Sequence, residues 1–387
     1  MSSVPHPAQA VPALETVGPG RTFSRAGLRQ AGRRLSPWML AVLPLGVLAM
    51  LFLAGHEVIA WDFERSFRPA AEAVWNGASP YPPPVLESMA DRAAFVYLPL
   101  GAIVFVPFLV LSPYAGGLVA TALVILFALA ALRIVGVRDW RCYGIAVLSP
   151  AMVSAIQTTN VTLPLLLALA AVWALRHRAV LPGLVLALTL ATKLFLWPVG
   201  VWLIATRRYR AALISGVATI VLVGVSWALI GFAGLRDYPA LLRVLAEALE
   251  LDSYTIFALA SDLGAPGLLG RGIGLAVGTA ALLGCWVLGR RGDEARSFTL
   301  AIVAALLFTP IVWLHYFMLL LVPIAIVHKR LSLLWATPLL FWLSQGHGNG
   351  TTFETAWTLA VLAFVTALVL RAKPTEQLRR KLPTPAA

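Results

Sequence analysis

The basic residues of this chain come in short runs, and the runs fall at the ends of apolar stretches. Arg29, Arg33 and Arg34, then Arg176 and Arg178, then Arg207, Arg208 and Arg210 are three such runs. Arg290 and Arg291, Lys329 and Arg330, and finally Arg379, Arg380 and Lys381 complete the series. Of the 387 residues, 60% are hydrophobic and 12% are charged, about half the charged share of a soluble domain. Apolar surface on that scale requires lipid as part of the solvent. The pattern predicts an all-α, polytopic transmembrane protein with membrane lipid as its surroundings. A formal charge of +13 gathered on one face would suit nucleic acid. Distributed at span ends, it suits cytoplasmic loops and anionic headgroups instead, and nucleic acid is not among the expected partners.

Residues 1–37 are rich in Pro, Ala and Arg without apolar periodicity, and read as a disordered basic cytoplasmic tail. A second basic tail is expected over 372–387, with the transmembrane domain over 38–371. The apolar stretch from Trp38 to Gly55 starts too late for a signal peptide and has no small-residue cleavage site after it, so it reads as a retained anchor. Lysine and arginine bias places both termini inside. The loop at about 56–97 then faces outside, where Glu57, Asp62, Glu64, Glu72, Glu87 and Asp91 outnumber Arg65, Arg68 and Arg92. A second outer loop is expected at about 231–270, with an interfacial amphipathic helix over 235–249.

Further along, basic runs bracket apolar stretches that have polar residues near their middle. Gln157, Thr158, Thr159 and Asn160 lie at the centre of 141–176, Lys193 within 178–207, and Trp313 to His315 within 296–329. The stretch 329–371 has its polar tip at 344–354. Read as hairpins with outward tips, these stretches have legs shorter than the roughly 20 residues of a full crossing. Short legs imply short or broken helices around an outward-facing, water-filled cavity; the alternative is single long tilted spans. Between 97 and 132, Pro107 and the Ser112–Pro113 break suggest two spans, whereas Arg133, Arg138 and Arg141 favour one. About 10 to 12 spans are expected in all.

Asp62 follows Trp61 shortly after the first span. A carboxylate beside a cavity at the membrane surface can take the proton from an attacking hydroxyl, a role worth about 10²- to 10⁴-fold in rate; it can equally be a solvated juxtamembrane acid. Glu64 is the nearby rival, turned about 200° away at helical spacing. Lys193 lies within an apolar stretch, where a lysine costs roughly 2.5 to 3.5 kcal/mol to insert. It either meets a phosphate or carboxylate, or snorkels to the interface. His315 sits between Leu314 and Tyr316, two residues after Trp313; it fits a phosphate contact or acid as well as an interfacial packing role. Gln157 and Asn160 can read sugar hydroxyls or simply cap a turn. Trp75, Tyr81, Tyr97, Trp197, Trp313 and Tyr316 can stack on sugars or belong to an aromatic belt.

Cys142 and Cys285 are isolated in apolar sequence and read as packing residues. The six histidines lack metal-ligand spacing, and there is no Walker A pattern, nucleotide-binding glycine loop or nucleophile elbow. No metal and no cofactor is expected, and any donor arrives within the membrane.

Several segments together resemble one family. Asp62-Phe63, Ala70-Ala71, Gly77 and Ser79-Pro80-Tyr81 resemble the first outer loop of the membrane glycosyltransferases of family 87, polytopic GT-C enzymes of the DUF2029 group. Phe95-Val96-Tyr97-Leu98-Pro99 is similar to the family's F-x-Y-P-P element, with Leu98 in place of the first proline. Gln157-Thr158-Thr159-Asn160 resembles its G-Q-x-N tip, with Ile156 for the glycine and one residue inserted. Gly183 through Lys193 resembles its G-x-x-x-G-x-x-x-x-x-K segment without the second glycine. Leu251-Asp252-Ser253-Tyr254 is similar to its N-x-S element and Trp313-Leu314-His315-Tyr316 to its W-x-H-Y element.

The resemblance implies a sugar moved with inversion from a polyprenyl-phosphate donor to a hydroxyl of a glycolipid or glycan acceptor of the cell envelope, outside the cytoplasm. It implies Asp62 as general base, Lys193 and His315 at the leaving phosphate, and Gln157, Asn160, Tyr97, Tyr81, Ser253 and Tyr316 as sugar or donor contacts. Mannose is the sugar it suggests first, then arabinose or another pentose. A transporter or lipid flippase with broken helices, and a non-catalytic subunit of an envelope-assembly complex, are the rival expectations.

Overall fold

The computed structural model describes residues 42–50, 53, 59–90, 92–344 and 351–372. The tails expected at 1–37 and beyond Ala372, most of the anchor from Trp38 to Gly55, Asp91 and the last hairpin tip at 345–350 lie outside these residues. Among the described residues the structure is helical and contains no strand. Four helices among the described residues are long and apolar enough to cross a membrane: Pro113–Val135, Tyr209–Leu229, Gly267–Arg290 and Thr352–Arg371. Local chemistry sets their ends. The Ser112 hydroxyl accepts from the Ala115 N–H at 3.3 Å, with Pro113 in the first turn. Gly136, at φ 100°, adopts the left-handed conformation that closes the same helix. Thr351 and Glu354 cap Thr352–Arg371 reciprocally.

The Tyr209–Leu229 and Gly267–Arg290 helices bury only 17% of their most apolar window. Leu213, Ile220, Leu268 and Leu275 are exposed on them. Helices apolar on every side, with so little covered by protein, meet lipid tails, so the chain is an integral membrane protein.

The other apolar elements are short or broken, as the sequence led us to expect. Pro150–Thr158 and Thr162–Ala174 form one unit bent by 116°. Leu100–Val110, Leu181–Thr192, Leu194–Ala205, Leu314–Val327 and Leu333–Ser344 are each shorter than a full crossing. Between 97 and 141 there is one full-length helix, Pro113–Val135, preceded by the short Leu100–Val110 segment. Arg68 satisfies carbonyls freed at the end of that short segment, donating to Leu111 O at 3.1 Å and Phe108 O at 3.5 Å.

Glycines set the helix spacing where backbones approach. A Cβ on Gly183 would lie 2.3 Å from Ala211 O, so Leu181–Thr192 and Tyr209–Leu229 touch backbone to backbone. A Cβ on Gly116 would come within 3.1 Å of the Phe63 ring, and one on Gly117 within 3.1 Å of Ala60 Cβ. These two glycines seat the segment that carries Ala60 and Phe63 on the Pro113–Val135 helix.

One end of the bundle is held by charge. Glu294 takes Arg176 at 3.1 Å and Arg208 at 2.6 Å on its two oxygens, and Arg208 Nε donates to Arg176 O at 2.6 Å. Trp202 Nε1 donates to Glu294 O at 3.2 Å. The fully buried Trp202 and Phe298 rings pack edge to face above this cluster, 4.6 Å apart. The Glu294–Phe308 helix has 15 residues and so spans about 22 Å at 1.5 Å per residue. Glu294 lies at its charged end. Phe308, at the other, borders a cavity.

Candidate active site

The three polar sequence tips are three breaks in helix. Pro150–Thr158 ends where Thr159 turns left-handed at φ 53°. Asn160 caps the next helix: its Oδ1 accepts from Thr162 N–H at 2.8 Å, and its Nδ2 donates to Thr158 Oγ1 at 2.6 Å. Buried Thr121 and Thr159 hydroxyls meet at 2.8 Å and tie the break to the Pro113–Val135 helix. Leu181–Thr192 stops at Lys193, whose backbone is extended at φ −151°, ψ 114°. Leu98 N–H donates to Thr192 O at 3.2 Å there. Glu294–Phe308 gives way to an irregular segment that ends at Trp313, before the 3₁₀ turn Leu314–Leu320. Tyr254 N–H donates to Val312 O at 2.9 Å, and Ser253 Oγ lies 3.4 Å from Pro310 O. At each break neighbouring groups take up polar backbone, as irregular chain at membrane depth demands.

The breaks converge on one cavity of about 880 Å³. Asp62, Tyr97, Gln157, Lys193, His315 and Tyr316 all line it. Asn160, Tyr81 and Ser253 do not; each makes hydrogen bonds that hold the wall. Tyr81 Oη donates to Tyr97 O at 3.0 Å while its ring stacks on Trp227, centroids 5.4 Å apart. Ser253 Oγ donates to Glu250 O at 2.8 Å. Glu64, the rival acid, is exposed and off the cavity wall.

Asp62 precedes a π-helical turn, Phe63–Phe67, that runs into the Arg68–Trp75 helix. The turn points Phe63 and Phe67 into the aromatic packing, where Phe67 stacks on Phe105 at 4.7 Å and lies 5.0 Å from Tyr97. Asp62 is left at the cavity, with no hydrogen-bond partner for its carboxylate among the described residues. Burial pushes that carboxyl up from 3.8 to about 7, and the positive charge of Lys193 opposes the rise.

Lys193 is held by aromatic groups. Its Nζ donates to Tyr316 Oη and lies over two rings, 4.5 Å from the Tyr316 centroid and 4.9 Å from that of Tyr97. The His315 ring packs 4.9 Å from the Tyr316 ring, and no described residue hydrogen-bonds its nitrogens. Among the described residues the site therefore holds one carboxylate and one imidazole without hydrogen-bond partners, and one aromatic-caged cation. Among the described residues no group of three or more His, Cys, Asp or Glu is placed to hold a metal ion.

The sequence model of glycosyltransferase family 87 matches residues 95–310, more than half of the chain. The chain belongs to glycosyltransferase family 87. It is a membrane glycosyltransferase with a family-87 core that includes Tyr97, Gln157 and Lys193. Asp62 precedes the matched residues, and His315 and Tyr316 follow them closely; the fold brings all three to the same cavity. No curated protein and no solved structure matches the chain.

Two features of this family-87 site were not read from sequence. The amphipathic helix expected over 235–249 forms as Tyr238–Leu249, begun by Pro239 in its first turn. Its stripe of Tyr238, Leu242, Leu245 and Leu249 faces the cavity and gives it an apolar wall. The i, i+4, i+7, i+11 spacing was legible; what it packs against was not. The second feature is Arg92, which lines the cavity while its Nη2 pairs with Asp252 at 2.7 Å. Its backbone is left-handed at φ 58°, which costs a non-glycine residue about 1–2 kcal/mol. An ion pair reached by solvent returns only about 0–1 kcal/mol.

Proposed function

We propose that the protein transfers a sugar from a polyprenyl-phosphate donor to a hydroxyl of a cell-envelope glycolipid or glycan, on the outer face of the membrane and with inversion. The observation that carries this reading is the convergence of Asp62, Lys193 and His315 on one cavity from three separate stretches of chain. Mannose is the first candidate for the sugar, by likeness of the motifs alone.

The acceptor oxygen attacks the anomeric carbon from the face opposite the phosphate. Asp62 takes the hydroxyl proton as the new C–O bond forms. The old bond breaks with its electron pair on the phosphate oxygen, and negative charge grows there. Lys193, fixed beside two tyrosine rings, and His315, with no hydrogen-bond partner among the described residues, meet that charge, and donors already aimed at the place where charge develops lower the barrier. Gln157, Tyr97 and Tyr316 are left to contact the sugar. Tyr81, Ser253 and Asn160 act one layer out, by holding the chain segments that carry those groups. The stripe on Tyr238–Leu249 offers apolar surface to a lipid chain. Basic runs such as Arg207, Arg208 and Arg210 lie at the opposite ends of the helices, and this charge bias supports the reading of the cavity as facing outside.

Purified protein in lipid, given a labelled polyprenyl-phosphate sugar and a membrane glycolipid extract, is expected to form a labelled product. Asp62→Asn removes that activity and leaves donor binding in place. Turnover of Asp62→Asn at the wild-type rate would show that another group is the base.

A further inference from the structure

Arg92 has three properties that an ordinary loop ion pair does not need together. It lines the cavity, its backbone is held left-handed, and it uses a single N–H on Asp252. Asp252 belongs to the second outer loop and is not part of the cavity wall, so the pair draws the guanidinium toward the junction of the two loops. On the cavity side, the guanidinium carbon lies 5.8 Å from the centroid of Trp313, another lining residue. Nε and Nη1 make no hydrogen bond to any described residue. An arginine presents five donors in a planar fork suited to two oxygens of a phosphate or carboxylate. The remaining donors of Arg92 are thus directed by a strained backbone and an indole, at the edge of a cavity whose other fixed cation is Lys193.

We propose that Arg92 is a specificity residue that binds an anionic group, a phosphate ester, on the acceptor. The inference rests on the reading of the site as a sugar-transfer site. In that reading the donor contributes one phosphate, already matched by Lys193 and His315. A second anion-binding fork at the junction of the outer loops then belongs to the molecule entering from outside. Asp252 holds the fork in place when no acceptor is bound and competes for it when one is. The protein therefore prefers acceptors with a phosphodiester headgroup over neutral ones with the same terminal sugar.

The test uses the full-length protein in lipid with labelled polyprenyl-phosphate sugar. One acceptor is a phosphatidyl-linked glycoside, the other a diacylglycerol-linked glycoside with the same terminal sugar. Arg92→Gln is expected to lower the kcat/KM preference for the phosphodiester acceptor about tenfold, as loss of a charge-assisted contact does, mainly through acceptor KM. Asp252→Asn, which breaks the same ion pair but keeps the fork, is expected to lower the KM of the phosphodiester acceptor or hold it at the wild-type value. If Arg92 served only to join the loops, both variants would raise KM together, for both acceptors. That outcome overturns the proposal, and so does an effect confined to donor KM. Absence of Asp62-dependent transfer from the polyprenyl-phosphate donor to either acceptor would instead sink the sugar-transfer reading itself.

Discussion

Gly183→Ala should damage the protein at two levels, and the size of the effect follows from one distance. The new Cβ would lie 2.3 Å from Ala211 O and 3.1 Å from the carbonyl carbon, both backbone atoms that no rotamer change can move. Ordinary contact requires about 3.4 Å or more, so Leu181–Thr192 and Tyr209–Leu229 must part by about 1 Å. Overpacking of this kind costs about 1–3 kcal/mol, and the helix-propensity gain of alanine, about 1 kcal/mol, offsets part of it. The helix that moves ends at Thr192, so Lys193 moves with it. A misplacement near 1 Å in a catalytic constellation can cost about 10²-fold in rate. The assays are thermal unfolding in detergent and labelled-sugar transfer in lipid, with Gly200→Ala as control. Gly200 is also helical, and a Cβ there meets nothing within 4 Å. We expect a lower midpoint and a loss of about 10- to 100-fold in kcat/KM for Gly183→Ala, with Gly200→Ala unchanged or slightly more stable. Equal behaviour of the two variants would refute both the backbone contact and its coupling to Lys193.

Three further outcomes follow from charge. A base that titrates at about 7 makes kcat/KM rise with pH up to that region. Lys193→Met removes the charge that holds Asp62 down, so the acidic limb should move up by about one pH unit or more, readable from a pH–rate profile even if overall activity falls. Because the folded-state pKa of Asp62 is raised above 3.8, its stabilising contribution is complete below pH 3.8 and lost as pH climbs through about 7. Asp62→Asn should therefore unfold at a higher temperature than wild type at pH 7.5, by up to about 4 kcal/mol at 1.36 kcal/mol per pH unit, and the difference should close near pH 4. At the far end of the bundle, Glu294→Ala leaves Arg176 and Arg208 facing each other without their shared carboxylate. A loss of about 1–3 kcal/mol is expected, as for charge-assisted hydrogen bonds in a partly exposed cluster, seen as a lower unfolding midpoint, with the pH–rate profile of the surviving enzyme unchanged.

Sequence alone was enough to place this chain in the membrane, because lipid is the only solvent for its apolar stretches and the basic runs mark where they end. It also located the breaks. Asn160, Lys193 and His315 are polar residues within apolar stretches too short to form two full spans, and the helices stop beside each of them. Separation along the chain carries no information about distance in space, so whether those breaks share a cavity with Asp62 was a matter for the tertiary structure. Gly183 lets two helix backbones touch, Gly116 and Gly117 leave room for the Phe63 ring and for Ala60, and a π-helical turn aims Phe63 and Phe67 inward so that Asp62, not Glu64, borders the cavity. The division of labour among the polar residues was equally hidden. Tyr81, Ser253 and Asn160 have the same hydrogen-bonding groups as the residues that line the cavity, but theirs are taken by backbone and neighbouring side chains. Arg92 reads in sequence as one loop charge among several; only the folded chain places its fork between Asp252 and Trp313.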